Sequence, residues 1–592
     1  MFRRFDSYKI LRVNLSEQSI KEEKVPIEVA KKFIGGKGLA AYYLYRELKP
    51  GVDPLSPENR LLFFIGPLTG LFPGFSRHVF AAKSPLTDTF VDSYAGGWFG
   101  AEFAKTGYVG VVFEGKAEEL VYLKLDSEAA SLEKAEDLKG KSPSEVDAGF
   151  EGYRVAAIGL AGEKLVRFAC IINDAAKTER SGVAGRGGIG AVMGSKNLKA
   201  FVVKGKASPD ELIPENLKED VRKLRRELTE YLKKEVAPGI SLGGNLPAMD
   251  MVADLKIMPV KNFREGFVRG YKKVAEEAFK EVTIRKTTCY LCPLACGVYI
   301  RVKEGPFAGL ELDRIEYETV ALNGPNCGQL DIGAIAKVCL LCNEYGMDTI
   351  TVGSITAFVM ECSEKGLIDY KLSYGDHEGQ VKLVEAIGRR EGIGDLLAEG
   401  LMRAAKKLGL ERYAVHVKGL EVPGYDPRGS VGMALAYATA DRGGDHLRAW
   451  TVVNELHKPF DVEGKAKLAK DLQDRNAALW CLIGCDNIPA NTTGDPSRFV
   501  DFSVKALNLL GWELNVEGFL KLGEKVYNLT RLFNVREGFS RKDDHIPKRF
   551  TEPREDTGWL LDLAAFNKML DEYYTLRGWS KDGKPEKFKD LP

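Results

Sequence analysis

Three cysteines within eight residues, Cys289-Tyr290-Leu291-Cys292-Pro293-Leu294-Ala295-Cys296, constrain this chain more than any other feature. The C-x2-C-x3-C spacing lets three thiolates converge on one small metal cluster, with Cys292 and Cys296 one turn apart if the segment is helical. A cubane needs a fourth ligand, and the candidates are Cys481 and Cys485, far along the chain. The alternatives are a zinc site or ordinary buried cysteines. An iron–sulfur cluster is favoured because zinc usually brings a fourth Cys or His nearby, and none stands here. The two gaps are reversed relative to the C-x3-C-x2-C of radical enzymes. A second C-x2-C, Cys339 and Cys342, lies inside the apolar helical run 334–342 and reads as core packing, since free cysteine is among the most buried residues.

The rest of the composition narrows the class. At 592 residues the chain is long enough for three or four domains. Ten cysteines are too few for a disulfide scaffold of that size. Lys and Arg number 85 against 84 Asp and Glu, so there is neither a basic field for nucleic acid nor an acidic tail. Met1-Phe2-Arg3-Arg4 is basic, but no apolar stretch of signal-peptide type follows it. The apolar region 61–75 is broken by Gly66, Pro67, Gly70, Pro73 and Gly74 and cannot span a membrane. The expectation is a soluble cytoplasmic protein with no nucleic-acid or membrane partner. A charged fraction of 29% with only four glutamines resembles thermophile usage.

Residues 1–206 read as β-rich, with short apolar or alternating runs at 8–15, 61–65, 109–113, 155–158 and 200–204. Residues 207–417 read as mainly helical and carry the cysteine motif, with helices predicted over 210–236, 332–345 and 381–408. Residues 418–592 read as a second mainly helical region, with helices over 465–482 and 560–576. The 62 glycines clump at 35–38, 95–100 and 185–190, where successive N–H groups could approach a phosphorylated ligand. None of these clumps is a Walker A loop or a clean dinucleotide fingerprint. Two acid–base candidates stand out: Glu318 in Ile315-Glu316-Tyr317-Glu318-Thr319, and His446, one of six histidines, in a glycine-rich loop.

Ordered along the chain are Gly35-Gly36-Lys37-Gly38-Leu39, Gly66-Pro67-Leu68-Thr69-Gly70, Lys83-Ser84-Pro85-Leu86-Thr87, Ser93-Tyr94-Ala95-Gly96-Gly97 and the long run 184–200. They are followed by Glu316-Tyr317-Glu318-Thr319, the run 343–350 and Tyr573-Tyr574-Thr575-Leu576-Arg577-Gly578-Trp579. Together they make a sequence that resembles the aldehyde ferredoxin oxidoreductase family of tungstopterin enzymes along its whole length. The resemblance implies an α+β fold, a β-sheet-rich saddle domain for the cofactor closed over by two mainly helical domains. The early β and late α bias agrees with it independently.

The resemblance also implies tungsten held by the dithiolene sulfurs of two pterins, with no protein ligand to the metal. Arg77, Tyr94, Gly96, Arg186 and Gly187 would belong to the pterin and phosphate shell. A Mg2+ between the phosphates would be held partly by the carbonyls of Tyr94 and Gly187; the family usually has Asn at the position of Tyr94. The two pterin-binding turns match Asn343-Glu344-Tyr345-Gly346-Met347-Asp348 and Trp480-Cys481-Leu482-Ile483-Gly484-Cys485. Asp348 is retained, Asn343 and Trp480 replace the leading Asp, Gly484 would be a cofactor-binding residue of the second turn, and Cys485 becomes the fourth ligand of a [4Fe-4S] cluster with Cys289, Cys292 and Cys296. Glu318 and His446 match the residues nearest tungsten, Tyr425 a substrate-pocket tyrosine, and Arg448 a lysine reaching toward pterin and cluster. The implied reaction is oxidation of an aldehyde to a carboxylic acid, with electrons leaving to ferredoxin or to a small ferredoxin-like iron–sulfur subunit. The alternatives are a non-catalytic electron carrier and a same-fold enzyme reducing a carboxylate or thioester. Lys337 occupies the position of the glutamate in an ExxH pair that binds a bridging iron in some family dimers; an ammonium is no ligand, so any homodimer must use ordinary surface contacts.

Overall fold

The computed structural model describes residues 5–126, 129–205, 210–211, 213–240, 245–313 and 315–586. The basic start at 1–4 and the expected boundary at 206–207 lie outside them.

Two six-stranded sheets form the N-terminal region. The first runs in the order Ser19–Lys24, Lys9–Asn14, Gly110–Glu114, Leu61–Phe64, His78–Lys83, Phe90–Ala95. Only Lys9–Asn14 and Gly110–Glu114 pair in parallel; the other neighbours are antiparallel. Leu61–Phe64 and His78–Lys83 are buried at every position, so the polar alternation of a half-exposed strand is missing there. The second sheet runs Gly182–Ala184, Ile171–Asn173, Arg154–Ala157, Leu198–Val203, Val121–Leu125, Ala130–Lys134. Strand residues of both sheets share one apolar core. At its centre Phe63 meets Phe80, Phe99, Phe103 and Phe201 edge-on, the geometry aromatic quadrupoles prefer.

The later regions are mostly helical, as read from the sequence, with three local differences. The 210–236 helix is shorter: it runs Lys218–Tyr231 behind a 3-10 turn that Pro214 starts, and ends in a π-helical turn, Leu232–Val236. The segment 381–408 is three helices, His377–Arg389, Ile393–Leu397 and Leu401–Leu408. Gly392 and Gly400 separate them at φ of 56° and 90°, which side chains rarely adopt. The cysteine motif is not helical. It is the loop between the antiparallel strands Thr283–Thr287 and Gly297–Arg301, and Leu291 and Ala295 hold left-handed φ of 58° and 43° that break any helix there. This small sheet, completed by Glu311–Asp313, has runs too short for a period to show.

The helices Ile332–Tyr345 and Lys465–Cys481 form where expected. Leu563–Arg577 begins at Asp562, whose carboxylate accepts from the N–H groups of Ala564 and Ala565 and so caps the first turn. Cys339 and Cys342 are buried in the core of the first of these helices. Among the described residues, no helix is long and apolar enough to cross a membrane.

Candidate active site

Two loops and one short helix bring Glu318, His446 and Tyr425 together in one largely buried cluster. Glu318 stands in the first turn of helix Tyr317–Asn323, whose Tyr317 N–H donates to Asn245 Oδ1 at 3.0 Å. Its Oε2 accepts from Gly424 N at 2.8 Å, and the Tyr317 hydroxyl donates to the Gly424 carbonyl, so the loop carrying Tyr425 is clipped from both sides. The Tyr425 ring stacks on Tyr317 at 5.1 Å and lies 5.5 Å from the His446 ring and 5.8 Å from Trp450. His446 is presented by the loop 441–448. There Asp445 accepts from Arg442 Nε at 2.8 Å and from Leu447 N at 3.1 Å, fixing the backbone on either side.

His446 Nε2 faces Glu318 Oε1 at 3.6 Å. Glu318 Oε1 and His446 Nδ1 are both buried without a hydrogen-bond partner among the described residues. Burial pushes the Glu318 carboxyl up to about 8, against a lowering by the Gly424 N–H and Arg186. Burial pushes His446 down to about 4, against a raising by Asp445. Near neutrality the pair therefore consists of a largely protonated carboxyl and a neutral imidazole.

Cys289, Cys292, Cys296 and Cys485 form a second centre. All are free thiols. Burial, and then the nearby Cys289, Cys296 and Cys485, push the Cys292 thiol well above the usual thiol range, so the other three lie close to it. Gly97 N donates to Cys289 Sγ at 3.3 Å and Arg180 Nη1 donates to Cys296 Sγ at 2.8 Å. A Cβ on Gly96 would lie 3.1 Å from Cys289 Sγ. Cys481, the other candidate ligand, sits elsewhere: its thiol donates to Ala477 O at 3.2 Å inside its own helix. Among the described residues, no three His, Cys, Asp or Glu groups are arranged to hold a single metal ion.

The family model for aldehyde ferredoxin oxidoreductase, N-terminal domain, matches residues 10–205, and that for domains 2 and 3 matches residues 222–591. This chain belongs to the aldehyde ferredoxin oxidoreductase family. It is 38% identical to the tungsten-containing aldehyde ferredoxin oxidoreductase of Pyrococcus furiosus, over 98% of each chain. It is 30% identical to the aliphatic sulfonate oxidoreductase, WOR-like subunit, of the same organism, over 98% of this chain and 95% of that one. The solved active-site complex BamBC of benzoyl coenzyme A reductase, in complex with 1,5-dienoyl-CoA, matches at a TM-score of 0.83 and 25% identity, over 100% of this chain and 97% of that one.

The residues expected around this family's pterins fall into two groups. Arg186 and Asp348 meet: Arg186 Nε donates to Asp348 Oδ2 at 3.1 Å, and its other nitrogens donate to the carbonyls of Gly444 at 3.0 Å and Glu421 at 2.7 Å. Three of its five N–H donors are thereby used inside the protein. Asp348 also caps the helix Thr349–Glu364. The neighbouring Gly187 carbonyl accepts from Ser84 Oγ at 2.8 Å. The second group is a stack: Trp480 lies with Tyr94 at 5.0 Å on its ring and the Arg448 guanidinium at 4.6 Å. Arg77 pairs with Asp486, beside Cys485, and Gly96 accepts from Asn173 Nδ2 at 3.0 Å. Among the described residues the Asn343 side chain makes one long contact, Nδ2 to Cys339 Sγ at 3.9 Å, and Gly484 N donates to Leu479 O at 2.9 Å to close its turn.

Sequence reasoning passed over the buried charges beneath this family site. Lys37 Nζ donates to Asp92 Oδ2 at 2.8 Å and to Asp441 Oδ2 at 2.6 Å, and Arg448 bridges the same two carboxylates. All four side chains are at most 1% exposed. Lys37 belongs to the 35–38 glycine clump, read as an anion cradle. The structure gives that clump another occupant: a Cβ on Gly36 would lie 2.2 Å from Trp480 O, and one on Gly35 2.9 Å from Cys481 O. The glycines make room for the turn 480–484. A lysine between glycines was the only available signal, and it reads equally as a phosphate ligand.

Proposed function

We propose that this chain is a tungstopterin oxidoreductase that converts an aldehyde and water into a carboxylic acid, two protons and two electrons, the electrons leaving singly through a [4Fe-4S] cluster to ferredoxin. The observation that carries this reading is the facing pair Glu318 and His446 in an aromatic pocket, within a chain of this family. The residues fit the two implied groups. Arg448 Nη1, Glu318 Oε1 and His446 Nδ1 are buried polar atoms lacking protein partners, as the wall of a polar cofactor and substrate site would be. Four free thiols with N–H donors aimed at two of them suit an iron–sulfur cluster.

In this reading Arg77, Tyr94, Gly96, Arg186, Gly187, Asn343, Asp348, Arg448 and Gly484 would hold the pterins and their phosphates, and the carbonyls of Tyr94 and Gly187 would hold Mg2+. Cys289, Cys292, Cys296 and Cys485 hold the cluster. When bound, the tungsten centre supplies an acceptor for an electron pair and the cluster an outlet for single electrons. The chain supplies acid–base chemistry. His446, neutral because burial lowers it, donates a hydrogen bond from its protonated ring nitrogen to the carbonyl oxygen and polarises the carbon. Glu318, once ionised, takes the proton from water as oxygen adds. Tyr425, Tyr317 and Trp450 exclude solvent from the reacting carbon.

The test is metal analysis of the purified protein together with dye-linked oxidation of an aldehyde panel. Tungsten with about four irons per chain and turnover on an aldehyde supports the reading. Iron without tungsten or molybdenum leaves an electron carrier. The likeness to a coenzyme A reductase, at a TM-score of 0.83, favours a second reading, a two-electron reduction run by the same fold, so the panel includes dithionite-driven reduction of carboxylates, thioesters and benzoyl-coenzyme A.

A further inference from the structure

Arg180 belongs neither to the acid–base pocket nor to the residues expected around the pterins. It stands between the strands Ile171–Asn173 and Gly182–Ala184 of the N-terminal region, 7% exposed. Its guanidinium reaches out of that region to the cysteine loop. Nη1 donates to Cys296 Sγ at 2.8 Å and Nη2 to Glu316 Oε1 at 2.8 Å. The contact is built in from both sides. The N–H and hydroxyl of Ser181 both donate to Asp313 Oδ2 at 2.8 Å, and Thr287 Oγ1, on the strand that leads into the loop, donates to Asp313 Oδ1 at 2.9 Å. Residue 297, directly after Cys296, is glycine, and a Cβ there would lie 3.2 Å from Arg180 Nη1. Arg180 thus carries a full charge, little exposed to solvent, against one sulfur of the four-cysteine set, and Glu316 sets a carboxylate on its far side.

An N–H donor and a positive charge at a ligating sulfur favour the more negative, reduced form of an iron–sulfur cluster. A carboxylate paired with that arginine works against it. We propose that Arg180 is a positioning residue that raises the reduction potential of the cluster through Cys296, and that Glu316 limits how much of its charge the cluster experiences. The proposal rests on the cluster reading above. Glu316 also precedes the helix of Glu318 as its N-cap residue, so the same arginine ties the electron outlet to the element that carries the base.

The experiment is an EPR-monitored dithionite titration of the holoenzyme and of Arg180→Gln, Arg180→Lys and Glu316→Gln, with iron measured in each. Arg180→Gln lowers the midpoint potential. At a fixed poise its reduced-to-oxidised ratio falls up to about tenfold, equivalent to about 59 mV for one electron. Arg180→Lys lowers it less. Glu316→Gln raises it. The opposite signs are the discriminating readout, because a purely structural staple is broken equally by either change and moves both the same way. An unmoved midpoint in Arg180→Gln at wild-type iron content overturns the proposal. If Arg180→Gln loses iron, Glu316→Gln decides: a rise supports the proposal and no rise overturns it. Wild-type protein without iron or a cluster signal would instead sink the cluster reading itself.

Discussion

The rings of Tyr94 and Trp480 stack at 5.0 Å with 27° between their planes. They come from distant parts of the chain, Tyr94 from the strand Phe90–Ala95 and Trp480 from the end of the helix Lys465–Cys481. Both are positions where this sequence differs from the motifs of the family it resembles, and the two differences touch. Arg448, a third such position, covers Trp480 with its guanidinium at 4.6 Å. One packed unit therefore stands where three separate polar side chains would otherwise be expected.

Trp480 is 1% exposed and carries that stack. Trp480→Ala should cost about 3–5 kcal/mol of local packing and leave Arg448 without its aromatic partner. The expected outcome is a clearly lower thermal midpoint, while Tyr94→Phe, which keeps the ring and loses only the hydroxyl that donates to Asp92, falls less, by about 1–3 kcal/mol of stability. Differential scanning calorimetry of both variants checks this. Equal midpoints for wild type and Trp480→Ala would show that the stack adds nothing.

Lys37 lies between Asp92 and Asp441, out of solvent. Lys37→Met removes one charge from a matched buried set and should destabilise the protein by about 3–5 kcal/mol. Burial alone would raise Asp441, but Arg448 and Lys37 hold it below the usual carboxylate range. A depressed folded value means that its contribution is complete above the unfolded value of about 3.9 and is lost as the pH falls below it. Thermal midpoints from pH 7 down to 3 should show the wild type weakening only below about pH 4. Lys37→Met should already be weak at pH 7.

Glu318 works as a base only when ionised, and burial holds it at about 8. At pH 7 about a tenth of the molecules then carry the carboxylate. Aldehyde oxidation, read as kcat/KM, should rise with pH through about 8 and level off above it. Glu318→Gln should lose about 10²–10⁴-fold in rate and lose that rise while keeping its metals. A wild-type profile that is flat from pH 6 to 9 would remove Glu318 from the role of base.

Cys485 and Cys481 should separate by iron content. Cys485→Ser should fall well below about four irons per chain and lose the cluster signal. Cys481→Ser should keep both, because that thiol is bonded to Ala477 O within its helix. Iron analysis with EPR reads both variants, and the reverse pattern would move the fourth ligand.

The sequence by itself determined the β-rich start, the helical remainder and the three clustered cysteines, because these depend on local period and spacing, which neighbours along the chain express directly. It also singled out Glu318, His446 and Tyr425, though their motifs, not their surroundings, marked them. Only the tertiary structure decided that Glu318 Oε1 faces His446 Nε2 at 3.6 Å, that the 35–38 glycines receive the turn 480–484, that Tyr94 meets Trp480, and that Arg180 reaches Cys296. The physical reason is the same in each case. These contacts join segments from roughly a hundred to several hundred residues apart, and burial, which sets both the pairing and the protonation of such groups, is a property of the surrounding elements and not of the residue or its neighbours in the chain.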